Sequence, residues 1–185
     1  MRRIRISRGS ALASLILCIA ALPSGWIANA NAAEDYLSPS APINLTIPTL
    51  KVATSIIKLG LDDKGALQVP KTANIAGWYV GSPTPGEIGP TIIVAHVDMN
   101  GKFGVFYNLK KMKPGDVIRV ARADKKVVTY KVTSTLIFLK AKFPTQKIYG
   151  DIDHAGLRLI TCGGKFNKKI GHYDSNVVVF AEAVL

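Results

Sequence analysis

Two side chains of complementary chemistry each close an apolar run. Cys162 follows Leu157-Arg158-Leu159-Ile160-Thr161, and His96 follows Thr91-Ile92-Ile93-Val94-Ala95. A free thiol titrates at about pH 8.5, so thiolate is scarce at neutral pH unless a neighbour helps. An imidazole accepts that proton and later returns it to a leaving amine. This division of labour suits acyl transfer through a thioester. Gly163-Gly164 follow the cysteine and leave room for a substrate carbonyl. The bland alternative is a small core thiol and a satisfied core histidine. The chemical reading requires that the two strand ends meet.

The N-terminus makes the thiol informative. Met1 to Arg8 is basic, Ala11 to Ile27 is mostly apolar, and Ala28-Asn29-Ala30-Asn31-Ala32 has small residues at A-x-A spacing. That order predicts a signal peptide or an uncleaved signal anchor over 1–32, with cleavage after Ala30 or Ala32. Cys18 lies inside this leader. Leu17 before it is too bulky for a lipidation box. Export to the cell surface would leave Cys162 as the one thiol of the mature chain, with no disulfide partner, in a compartment where thiols oxidise.

Charge narrows the partners. Four of the 24 basic residues lie in the first eight positions and all 12 acids lie downstream, leaving the remainder at about +8. Such a charge favours wall polymers or acidic headgroups. The basic residues are scattered, without an aromatic-interleaved basic helix, so no nucleic acid is expected.

These residues must be positioned by strands. The segment 33–49, rich in Ala, Ser, Pro and Asn, reads as an extended linker, and 50–185 as one domain. Strands are expected over Val52 to Leu59, Gly65 to Val69, Asn74 to Tyr79 and Thr91 to Val97. Phe106, Leu109 and Met112 suggest a helical turn, and Lys113-Pro114-Gly115-Asp116 a reverse turn. Val117 to Ala121 and Val127 to Thr133 flank a hairpin turn. Leu157 to Cys162 and Val177 to Leu185 complete the set. Many short strands with little helix indicate a mainly β barrel or sandwich.

The ordered set Gly77-Trp78-Tyr79, Pro85-Gly86-Glu87, Ala95-His96-Val97-Asp98, Pro114-Gly115-Asp116, Phe143-Pro144, Leu159-Ile160-Thr161-Cys162-Gly163-Gly164 and Asn176-Val177-Val178-Val179 resembles the sortases, closest to the class F, actinobacterial type. The resemblance implies a closed eight-stranded β-barrel with short helical turns. It implies a cysteine transpeptidase that cuts an LPXTG-like C-terminal sorting signal and passes the acyl group to an amine. The implied partners are surface proteins bearing that signal and a peptidoglycan precursor or other amine acceptor, with membrane association through the N-terminal apolar segment. Cys162 carries over as nucleophile and His96 as acid/base, with no cofactor and no metal.

One position departs from the pattern. Sortases place an arginine on the strand after the cysteine strand. Here Asn176 falls there, or Asp174 two residues earlier on the same face. Asn176 donates a hydrogen bond but brings no charge, so it is the candidate third residue. Arg158 shares the cysteine's strand parity, but four residues span about 13 Å. Lys168 and Lys169 could bring charge from the following loop. Asp98 could orient His96. His172 and His154 read as surface residues, and Asp62-Asp63 and Asp151-Asp153 as solvent-facing acids rather than calcium ligands.

Two competing enzyme types fit less well. L,D-transpeptidases carry a histidine almost beside the cysteine, and NlpC/P60 peptidases place cysteine before histidine. A catalytically weak sortase-like domain that binds wall polymer is the non-enzymatic alternative.

Overall fold

The computed structural model describes residues 36–184; the expected leader, 1–32, lies outside them. Ten strands occur: β1 (Pro42–Ile47), β2 (Val52–Leu59), β3 (Ala76–Tyr79), β4 (Gly89–Val94), β5 (Asp98–Met99), β6 (Lys102–Phe103), β7 (Val117–Arg122), β8 (Val127–Leu139), β9 (Ala155–Asn167) and β10 (His172–Ala183). One short helix, α1 (Thr145–Tyr149), and three 3₁₀ turns complete the described part. No helix among the described residues is long and apolar enough to cross a membrane.

Eight strands close into a barrel in the order β1-β2-β3-β4-β9-β10-β8-β7, and β5-β6 form a separate hairpin. Most neighbours are antiparallel, but β2 with β3 and β4 with β9 run parallel. Among the described residues, closure leaves the barrel itself without an open edge.

The strands carry apolar residues on both faces. Side chains alternate along a strand, so each feeds two layers. Ile93, Leu157, Leu159, Val177 and Val179 fill the barrel interior. Ile92, Val94, Ile160, Val178 and Phe180 build an outer layer with Ile148 of α1, against which Phe138 and Phe143 pack. The functional groups sit at one end of this outer face.

Three sequence expectations change. The linker over 33–49 contains β1, whose Leu45 and Ile47 are fully buried. Pro42 opens that strand, and Pro48 starts a 3₁₀ turn. Prolines at element starts break no ladder, so the proline-rich texture hid a barrel strand. The segment Gly65 to Val69 makes only an isolated bridge, Leu61 with Leu67. Cys162 does not end its strand, because β9 continues to Asn167. The two glycines instead accommodate a bulge. Gly163 pairs with Ser175 and Phe166 with Tyr173, so two residues of β9 oppose Asp174 alone. Gly164 takes φ +78° there, a left-handed conformation that favours glycine.

Of the remaining strands, β7 to β10 run longer than expected, whereas β3 begins only at Ala76 and β4 ends at Val94, which leaves His96 beyond its strand. Phe106, Leu109 and Met112 are buried on a turn ending in a 3₁₀ segment, Leu109–Lys111. Asp116 closes the Lys113 turn through its side chain, which accepts from the Lys113 amide at 2.8 Å.

Candidate active site

The parallel ladder between β4 and β9 aligns the two chemical groups. Ile93 pairs with Leu159 and Val94 with Ile160. The Ala95 amide extends the ladder by donating to the Ile160 carbonyl at 3.2 Å. Thr161 Oγ1 then donates to the Ala95 carbonyl at 2.8 Å. The next residues along the two segments are His96 and Cys162, and both line the same groove. On the other flank of β9, Asn176 of β10 lies directly opposite Cys162. Directly opposed side chains stand with Cβ atoms about 5 Å apart. All three residues are partly buried.

They open into a groove of ≈ 950 Å³ on the outer face. Val94 and Ile160 form an apolar floor, and Leu67, Val69, Phe103 and Phe166 stand around it. Such a lining suits an extended peptide with an apolar side chain near the scissile bond.

The ring of His96 is held from the β2–β3 connection. Its Nε2 lies 2.7 Å from the Pro70 carbonyl. A carbonyl only accepts, so Nε2 carries the proton and Nδ1 is the basic nitrogen of the neutral ring. Lys140, just beyond β8, places Nζ 3.6 Å from Cys162 Sγ.

Opposite the dyad, Tyr173 of β10 donates its hydroxyl to Asp98 of β5. That hydrogen bond, with burial and the carboxylate charge adding to it, pushes the Tyr173 hydroxyl up to about 12. Asp98 thus ties the β5–β6 hairpin to the groove wall. The hairpin turns at Asn100-Gly101, both with positive φ, as a two-residue hairpin turn requires.

The profile of the Sortase domain family matches residues 45–184. The chain belongs to the sortase family. Sortases are cysteine transpeptidases that process sorting signals, and they act at the cell surface on signal-bearing proteins and amine acceptors. The fold is similar to a lid mutant of sortase A from Corynebacterium diphtheriae, with TM-score 0.61 and 20% identity over 80% of this chain and 73% of that one. It is equally similar to sortase C-1 from Actinomyces oris, with TM-score 0.61 and 20% identity over 80% and 74% of the two chains. A sortase D5 transpeptidase from Clostridium perfringens gives TM-score 0.56 and 19% identity over 78% and 79%. These likenesses span sortases A, C and D. A comparison by sequence with curated proteins gives no match.

The remaining candidates fall where this sortase uses them otherwise. Asp174 sits at the bulge, where its Oδ1 accepts from the Lys165 amide at 3.0 Å and from Ser175 Oγ at 2.7 Å. Arg158 is buried in the outer layer, 4.6 Å above the Phe180 ring, and donates to the Leu157 carbonyl. Lys168 and Lys169 are exposed in the β9–β10 turn. His172 lines the groove. His154 pairs instead with Asp153 at 2.9 Å, eight residues and about 26 Å of strand before Cys162. Asp62 holds a tight turn by accepting from the Lys64 and Ala66 amides, each at 2.9 Å.

Sequence reasoning missed the Pro70 carbonyl, the Tyr173–Asp98 contact and Lys140. The Asn100-Gly101 dipeptide could have announced the hairpin that presents Asp98. Nothing local announces Lys140, because its position depends on the order of three strands.

Proposed function

We propose that Cys162 is the nucleophile and His96 the acid/base of this sortase, acting on a sorting signal of LPXTG type. The observation that carries the reading is the parallel β4–β9 register, which runs level up to Val94 and Ile160, with His96 and Cys162 just beyond and lining the same apolar groove. Cys162 Sγ attacks the carbonyl carbon of the scissile amide, and His96 holds the thiol proton. The tetrahedral oxyanion collapses, the carbon–nitrogen bond breaks, and His96 protonates the departing amine. An acceptor amine then attacks the thioester, transfers a proton to His96 and expels the Cys162 thiolate. Asn176, across the ladder from Cys162, is suited to donate its side-chain N–H to the oxyanion.

The leader expected over 1–32 supports export, with the domain either anchored in the membrane or released after cleavage. The wall is then the natural source of the acceptor. N-terminal sequencing of the surface protein distinguishes the two forms.

Mass spectrometry of the domain incubated with a sorting-signal peptide tests the mechanism. A covalent adduct is expected at Cys162, absent in Cys162→Ala and formed far more slowly in His96→Ala. Absence of any adduct in the wild-type protein would favour the second reading, a catalytically weak wall-binding domain. The uncharged Asn176 is the observation on that side.

A further inference from the structure

We propose that Lys140 is a catalytic residue of this site: its ammonium supplies the positive charge that the Cys162 thiolate and the developing oxyanion require. The inference rests on the reading of Cys162 as nucleophile and adds to it a group from a third strand.

The placement follows from register. Cys162 of β9 opposes Asn176 of β10, and Asn176 opposes Phe138 of β8. The three side chains form one row across the sheet. Phe138 packs on the outer layer, so this row faces the groove side. Lys140 lies two residues beyond Phe138, at the start of the 3₁₀ turn Lys140–Lys142. From there its Nζ reaches to 3.6 Å from Cys162 Sγ.

The chemistry of the site leaves a need for that charge. The titratable and amide groups that share the groove with Cys162 are His96 beyond β4, Asp98 from β5, and His172, Tyr173 and Asn176 from β10, while Lys140 contacts the sulfur itself. Asp98 is an acid engaged with Tyr173, and Asn176 is neutral. Among the described residues, Lys140 is the lysine whose nitrogen contacts the sulfur. Arg158 is occupied over Phe180, and Lys147 lies over the Phe138 and Phe180 rings at 6.0 and 5.7 Å. As the carbon–sulfur bond forms, negative charge moves from sulfur to the carbonyl oxygen bound to the attacked carbon. A four-carbon stem with an exposed base follows that movement.

Alkylation of Cys162 by anionic iodoacetate and by neutral iodoacetamide tests the inference without any peptide. The ratio of the two rates, at fixed pH and low salt, reports the local charge. The ratio is expected to fall several-fold in Lys140→Met, to recover in Lys140→Arg, and to fall with added salt only where the cation is present. Acyl-enzyme formation from a sorting-signal peptide is expected to drop by about 10²-fold in Lys140→Met, as for loss of an oxyanion donor, and to be rescued by Lys140→Arg but not by Lys140→Gln. A ratio unchanged in Lys140→Met would overturn the proposal. A Lys140-dependent ratio in a wild-type protein that takes no peptide would support the proposal and overturn the sorting-signal reading instead.

Discussion

Thr161 Oγ1 donates to the Ala95 carbonyl across 2.8 Å and joins the two segments one residue before Cys162 and His96. The bond is buried. It fixes the height of the imidazole relative to the thiol. Thr161→Val keeps the shape and leaves that carbonyl without its partner, at a cost of about 1–3 kcal/mol. Urea denaturation measures this loss. Single-turnover acylation at a denaturant-free temperature where both proteins are folded is expected to slow as well, since a misplacement of about 1 Å costs on the order of 10²-fold.

Gly164 is the second structural dependency of the site. With φ +78° its added Cβ would lie 2.0 Å from Asp174 Oδ1. Gly164→Ala is therefore expected to destabilise the protein by about 1–3 kcal/mol and to displace Cys162, two residues earlier on β9. The double variant Gly164→Ala/Asp174→Ala removes the nearest contact but leaves Ser175 Oγ and Cβ at 2.6 and 2.8 Å and the strained backbone, so it should recover only part of the loss. Thermal unfolding of the three proteins checks the order.

Tyr173 and Asp98 give the site an alkaline limit. The folded protein holds the tyrosine proton up to about 12, against an ordinary value of 10.0. A raised value means that the folded state binds the proton more tightly than the unfolded one. The contribution to stability is full below pH 10.0 and is lost as pH rises through about 12. Burial also pushes Tyr130 up to about 12 and raises Tyr149, so tyrosinate absorbance should lose one of several late-titrating groups in Tyr173→Phe, and that group should move down in Asp98→Asn.

Arg122 anchors the opposite side of the barrel. It is 1% exposed, pairs with Asp124 at 2.8 Å, and donates to the carbonyls of Pro85 and Ser38. Arg122→Met strips these partners at once, and the expected cost is on the order of 3 kcal/mol. Calorimetry should show a lowered Tm, while the iodoacetate to iodoacetamide ratio at Cys162 stays unchanged below the transition.

Much of this was readable along the chain because it is local. The β7–β8 hairpin announces itself by β-branched residues around a polar turn, and the Lys113 turn by Pro-Gly-Asp. The spacing of Phe106, Leu109 and Met112 marks a buried turn. His96 and Cys162 were visible as chemistry at the ends of apolar runs. Readability failed where meaning depends on distant pairing. Leu45 and Ile47 are too few to stand out among prolines, and only their partners on β2 and β7 make them a strand. Gly163-Gly164 reads as a stop, although opposite Asp174 it is a bulge. Lys140 belongs to the site only because β8 lies beyond β10, a relation that no spacing encodes.

The alternation of interior and outer layers along the same strands has a consequence for how such a protein can change over time. Odd-numbered positions of β9 and β10, such as Leu159, Thr161, Val177 and Val179, maintain the barrel, while the even-numbered Ile160, Cys162, Asn176 and Val178 face the groove side. A single inserted residue would exchange the two sets and ruin both. Substitutions confined to the even positions leave the interior untouched. The reactive face is thus free to be rewritten one side chain at a time, with a neutral amide accepted on one strand while a cation enters from another.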